Sequence, residues 1–309
     1  MASSNCNCGD GKLGNLGRPK CVTEMGTIAF PILFPRYDAT GARNTFDLSS
    51  ATLGQDILDL VQADSSTFRI YPFSKVENVT TDRTDTVYET FPSGRKVRID
   101  GVGGIRTFGM ELIGKDGVNG ILRELKKNGC TDMDFVLADV NGNLWLQKDD
   151  ELSTTGTGWK MDSETFDAFK VYATDTTSAK IMVSFDLARY EKEENGYVIT
   201  ASELGYPATD LQGLVAGTQV ATPLTTTTIR VKVYDNYGSA VTNNPVTGLL
   251  NANFVLKNTT TPATVTTTTS ETADGDYTLT FTAQTGGDAG TVEVFANGYD
   301  FNVETIEFL

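Results

Sequence analysis

The sequence predicts a mainly β protein: a sandwich- or barrel-like core carrying one packed α-helix, followed by a second, smaller β-sandwich. Three observations lead there. Thr and Gly are abundant while only 39% of the chain is hydrophobic, a profile that suits short strands and many turns better than long packed helices. Residues 105–146 read as strand, Gly-bounded turn, helix, strand and tight hairpin in succession. Composition then changes from Thr225 onward: residues 225–309 hold 21 Thr, three basic residues and no Cys, which marks a separate domain. With 309 residues, the chain has room for about two domains of ordinary size.

Taken in order, residues 1–24 form a polar, Gly-rich arm with little intrinsic structure. The arm carries Cys6, Cys8 and Cys21, and the fourth cysteine, Cys130, follows the central helix. Asp10 or Cys130 would be needed to complete a zinc ligand set, and C-x-C departs from the usual structural-zinc spacing. The expectation is therefore reduced thiols or a late disulfide, with no metal and no cofactor. Residues 25–34 make an apolar strand interrupted by Pro31, which suits an edge or a strand start. Residues 44–62 contain a helix candidate with Leu53, Ile57, Leu58 and Val61 inward and Asp56 and Asp59 outward; a packed loop reaching a neighbouring subunit is the alternative.

From Thr67 the pattern is β, with strands at 68–73, 75–80, 85–91 and, after the turn at 92–94, at 95–99. Gly101, Gly103 and Gly104 sit between strands instead of opening a helix, so they mark a bend and not a nucleotide loop. The helix at 118–127 places Val118, Ile121, Leu122 and Leu125 on one face and Arg123, Glu124, Lys126 and Lys127 on the other. Asn141–Gly142 turns a hairpin; the Asp139–Asn143 stretch lacks the downstream Glu of a calcium loop. Short strands are expected at 159–161 and 168–172. Residues 180–190 alternate Ile181, Val183, Phe185 and Leu187 against smaller or polar partners, a half-buried strand. Residues 25–222 form the first domain, 217–228 the linker, and 223–309 the second domain, with strands at 229–234, 254–257, 277–283, 291–296 and 301–307.

Chemistry is narrowed sharply. The chain has no His, so no imidazole base, His triad or His-containing metal site exists. Asp134, Asp139 and Glu164 are the acids a hydrolase would draw on, but no two show a persuasive pairing, and the expectation is that the protein is not an enzyme. The net charge of −15 argues against a general nucleic-acid surface. The N-terminus lacks a basic start followed by an apolar stretch, so no secretion signal is expected, and no apolar run reaches membrane-helix length.

The β-rich body at 75–198 with its helix at 118–127 resembles the core of tailed-phage tail-tube proteins. Residues 225–309 resemble the bacterial immunoglobulin-like domains appended to phage capsid, tube and fibre proteins. The resemblance rests on element order. It implies a homo-oligomer of stacked hexameric rings, assembled in the host cytoplasm into the virion, whose inner sheets join into one barrel. Genomic DNA would pass through without specific binding, and other tail or connector proteins would be partners. It implies that 95–99 and 105–113 are adjacent strands, with 133–140 and 180–190 as partners across the sheet. The corner at 114–120, with Lys115, Asp116 and Val118, and Leu125 of the helix would serve assembly. A capsid-associated, neck or tail-terminator protein and a surface adhesion module are the alternatives.

Overall fold

The computed structural model describes residues 23–63, 68–98, 104–114, 119–127, 131–148, 153–189, 191, 195–238 and 243–309. The chain is mainly β-sheet with a minor helical part. Its contacts divide it into two units, Met1–Val118 with Leu125–Gly213, and Asn119–Glu124 with Leu214–Leu309.

In chain order through Leu204 the elements are β1 (Ile28–Pro35), β2 (Phe46–Asp47), α1 (Leu53–Gln62), β3 (Tyr71–Pro72), β4 (Glu77–Arg83), β5 (Tyr88–Thr90), β6 (Lys96–Arg98) and β7 (Arg106–Ile113). They continue with α2 (Asn119–Lys127), β8 (Met133–Asp139), β9 (Leu144–Lys148), β10 (Thr155–Thr157), β11 (Trp159–Val171), β12 (Lys180–Leu187), β13 (Gly196–Ile199) and α3 (Ala201–Leu204). One sheet is built around β8, which pairs with β1, β9 and the start of β11. Every residue of β8 is buried, as are the six central residues of β1. Both strands are covered on both faces, which is why their sequences run apolar without alternation. Pro31 is tolerated because the outer side of β1 meets only the two-residue β3.

A second sheet has the order β4-β7-β12-β11, all antiparallel. β11 links the two sheets: Trp159 and Lys160 pair with β8, and the strand then pairs with β12. It is one 13-residue strand with a register shift between Asp162 and Asp167, where two short strands were expected. Aromatic rings fill the space between the sheets. Phe135 of β8 meets Phe185 at 5.0 Å and Phe108 at 5.2 Å, so long-range ring contacts fix the sheets face to face. Gly158 precedes the link because a Cβ there would meet Phe34 at 2.6 Å and the Phe135 carbonyl at 2.8 Å.

β12 alternates buried and half-buried residues along its length, as the sequence predicts. α1 lies within the candidate stretch and buries Ile57 and Val61, but Leu58 faces outward at 37% exposure. α3 is a short helix that was not expected. Two strand adjacencies differ from the tube-like expectation. β6 pairs with β5 in a separate hairpin, while β7 pairs with β4 and β12. β8 and β12 are not neighbours; each pairs with β11.

The second unit contains β14 (Val215–Thr225), β15 (Thr228–Asp235), β16 (Asn244–Pro245), β17 (Phe254–Asn258), β18 (Ala263–Val265), β19 (Thr267–Ala273), β20 (Asp276–Phe281), β21 (Ala289–Val294), β22 (Tyr299–Phe301) and β23 (Glu304–Glu307). The stretch read as a linker is strand β14, paired with β15 through Pro223. One sheet runs β19-β20-β15-β14-β22 and the other β18-β17-β21-β23. Ile229, Val231 and Leu279 from the first share one core with Leu256, Val292 and Ile306 from the second. Tyr277 is fully buried there and donates its hydroxyl to the Val246 carbonyl at 2.9 Å.

Candidate functional site

The surface best suited to a function is the sheet β4-β7-β12-β11 with the hairpin that grows from it. Side chains alternate between its faces. Phe108, Met110, Ile181, Val183 and Phe185 turn inward and are buried. On the other face stand Asp82, Thr107, Glu111, Asp186, Met182, Lys180 and Asp167, by the pairing register. Four of those groups are carboxylates and one is an amine, so the outer face is acidic.

Glu111 organises its middle. Its carboxylate is 8% exposed, accepts from Lys180 Nζ at 2.5 Å and from Asn78 Nδ2 at 2.8 Å, and thereby ties β12, β7 and β4 together. The Lys180 hydrogen bond, helped by Asn78, holds its pKa below the usual carboxylate value against the opposing effect of burial. Asn78 has φ 50° and sits where the β4 register slips between Glu77 and Thr80, a bulge conformation that Asn tolerates.

Both sides of this sheet are open. Among the described residues β4 pairs with β7 alone, and the Asp167–Val171 part of β11 pairs with β12 alone. All but one of the β4 residues are exposed, and Phe169 and Tyr172 stand out beside the opposite edge at 46% and 76% exposure. Unpaired N–H and C=O groups along such edges are templates for another strand.

The hairpin extends from the Arg83–Arg106 end. Thr84 and Ile105 continue the ladder, then β5 and β6 pair with each other only, and the described side chains of 88–97 are all exposed. Gly94 closes the turn with φ +79°, its N–H donating to the Phe91 carbonyl at 2.8 Å.

A groove of about 600 Å³ lies between the N-terminus of α1 and β9, β13 and α3. Its polar groups already serve the fold: Ser50 and Thr52 donate to Asp56, Glu203 accepts from Thr200 at the start of α3, and Lys148 rests over the Tyr197 ring.

The three acids singled out in the sequence are not brought together. Asp134 and Asp139 occupy opposite ends of β8, while Glu164 is exposed in the β11 bulge. Asp134, fully buried, receives Arg36 Nε at 2.8 Å and Arg43 Nη2 at 3.1 Å. Asp139 receives the Trp145 indole at 2.9 Å and the backbone N–H groups of Gly26, Asn141 and Asn143. Burial pushes the Asp139 pKa up, yet these hydrogen bonds together hold it below the ordinary value. Gly142 at φ +83° closes that turn, so Asp139 pins the β8–β9 hairpin.

Cys6, Cys8, Cys21 and Cys130 lie outside the described residues, as do Lys115, Asp116 and Val118. Among the described residues no cluster of three His, Cys, Asp or Glu side chains is placed to hold a metal, and no helix is long and apolar enough to cross a membrane. Leu125 is 7% exposed, so its side chain packs within its own chain and offers little surface to a neighbour. The open edges escaped the sequence reading because an edge is defined by the strand that is missing. The hairpin did leave a signal, the alternation of 85–99 around a Gly turn.

No protein-family model matches the chain, and no curated protein matches it. Among solved structures it is similar to FdeC, described as a novel broadly conserved Escherichia coli adhesin eliciting protection against urinary tract infections. The identity is 14% and the TM-score 0.20, over 76% of this chain and 66% of that one, so the chain spans just under two thirds of the adhesin structure. At that score the likeness carries no argument about function.

Proposed function

We propose that the protein is a self-assembling structural subunit of a tailed-virus particle, joining edge to edge into rings that stack as a tail tube. The observation that carries this reading is the antiparallel run β4-β7-β12-β11, in which the outer side of β4 and the Asp167–Val171 part of β11 have no further strand partner among the described residues. Because the strand number is even, β4 of one copy meets β11 of the next in antiparallel sense. That relation repeats around a ring without a mismatched seam. A contact of this head-to-tail kind closes when its rotation does, and closure removes every edge from the sheet. The acidic outer face would then line the passage, where it repels phosphate and lets DNA slide without binding. The second unit, two facing sheets around one core, reads as an immunoglobulin-like sandwich carried as an appendage.

Negative-stain microscopy of particles labelled on the second unit tests the assignment. Regular label rows along a tail are expected. Label confined to the shell makes the protein capsid-associated, and label only at the neck makes it a connector or terminator. A surface adhesion module is the second reading, favoured by Leu250 and Phe295 of the second unit, which are 72% and 55% exposed; exposed apolar side chains of this size suit a partner surface.

A further inference from the structure

We infer that Lys180 and Asn78 become joined by an intramolecular isopeptide bond, formed over the Glu111 carboxylate with release of ammonia, which locks the edge strand β4 to β12. The inference stands apart from the ring-forming reading and needs only the folded subunit.

The three groups that an amide exchange requires meet at one place: an amine, a carboxamide and an acid between them. They come from three adjacent strands, Lys180 from β12, Glu111 from β7 and Asn78 from β4. Lys180 Nζ donates to Glu111 Oε1 at 2.5 Å, and Asn78 Nδ2 donates to Glu111 Oε2 at 2.8 Å. Nucleophile and leaving group are therefore held on the two oxygens of one carboxylate. The Lys180 side chain is 25% exposed and that of Glu111 10%, so both are largely shielded from water. Asn78 is itself exposed, which gives ammonia a way out.

An ion pair alone does not account for Asn78. Among the described residues it is the single non-glycine with a positive φ, at the point where the β4 register slips. Glycine would adopt φ 50° at less cost; asparagine accepts the strain and brings a carboxamide to Glu111. Glu77, opposite Glu111 in the ladder, has a cation of its own in Lys75 at 3.4 Å. A tie across β7 would also serve the strand that most needs one. Among the described residues β4 pairs with β7 alone, so only backbone hydrogen bonds along one side keep it from peeling away.

The step balances without an oxidant or a second substrate. Glu111 takes a proton from the Lys180 ammonium, and the freed electron pair on Nζ attacks Asn78 Cγ. A second Nζ proton passes to Nδ2, the Cγ–Nδ2 bond breaks, and a new Cγ–Nζ amide remains. Ammonia leaves with the proton that Glu111 held, as ammonium, and Glu111 ends as the carboxylate it began.

Intact-mass measurement of the reduced, denatured full chain, with tryptic peptide mapping, tests this. Wild type is expected to be lighter by one ammonia, with residues 76–83 linked to residues 171–189 and no cleavage after Lys180. Lys180→Arg keeps a cation beside Glu111, Asn78→Gly suits the positive φ, and both are expected at unlinked mass. Glu111→Gln is expected to link at least about tenfold more slowly. Far-UV circular dichroism checks that each variant is folded, and the wild-type linkage map stands whether or not one of them is. Wild type at unlinked mass overturns the inference. Loss of ammonia that persists in Lys180→Arg overturns it too, because a succinimide at an Asn-Gly turn such as Asn141–Gly142 sheds the same group. Linkage at the wild-type rate in Glu111→Gln overturns the part given to the acid.

Discussion

The two sheets of the first unit are made of the same backbone and treated in opposite ways. Around β8 the sheet is sealed. Strands IAFPILFP and MDFVLAD are buried on both faces, and the carboxylates at its two ends are spent on arginines and on a turn. Around β7 the sheet is covered on one side only. Its edge strand ENVTTDR is almost wholly exposed, its outer face is acidic, and its ladder runs out into a bare hairpin. A chain that protected only itself would cap or bury such edges. On the proposed reading the difference is a division of labour, one sheet fixing the subunit and the other left to be completed by neighbours.

The largest effect should come from the sealed sheet. Phe135→Ala removes a fully buried ring that touches Phe108, Phe185 and Trp159, and the cost in equilibrium denaturation should be about 3–5 kcal/mol. A loss under about 1 kcal/mol would mean that the two sheets are not held together through this ring.

Next comes Asp139. Asp139→Asn replaces a charge that accepts four different donor residues, and about 1–3 kcal/mol of stability at neutral pH should go with it. The pH dependence has a definite sign. The folded pKa is lowered, so this stabilisation is complete above the ordinary carboxylate value of about 4. It is lost as the pH falls below that value and through the lowered folded one. Wild type should therefore lose its advantage over Asp139→Asn on acidification; an advantage that stays constant down to acid unfolding would show that the carboxylate is not the group being pinned.

The smallest effect on stability, and the largest contrast between sheets, is expected at the open edge. Thr81→Lys on β4 should change monomer stability by less than about 0.5 kcal/mol, because the side chain is exposed. A lysine on an edge nevertheless opposes strand addition, so ring formation should fail. Rings that form normally from the variant would remove β4 from the interface.

The sealed sheet was largely readable in the sequence, and the open one only in part. Continuous apolar runs marked β1 and β8, period-two alternation marked β12, and Asn141–Gly142 marked the turn after β8. By contrast, β14, VAGTQVATPLT, reads as linker because few of its positions are buried. The Nε2 of its buried Gln219 donates to the carbonyls of Val292 and Asn302, more than seventy residues away. The Arg36 and Arg43 clamp on Asp134 is equally non-local, and spacing in a sequence carries no sign of such pairs. Local patterning predicts which residues turn inward and where a tight turn falls; it does not say which distant strands lie side by side, and that is why the insertion of β11 between β8 and β12 was not foreseen.

Amide hydrogen exchange, read by mass spectrometry on the dissociated subunit and on assembled rings, tests the division of labour most directly. In the assembly, Glu77–Arg83 and Asp167–Val171 should slow together by at least about tenfold as their free backbone groups pair, while Ile28–Pro35 and Met133–Asp139 are protected equally in both states. Rings in which either edge still exchanges at the subunit's rate would contradict joining through β4 and β11.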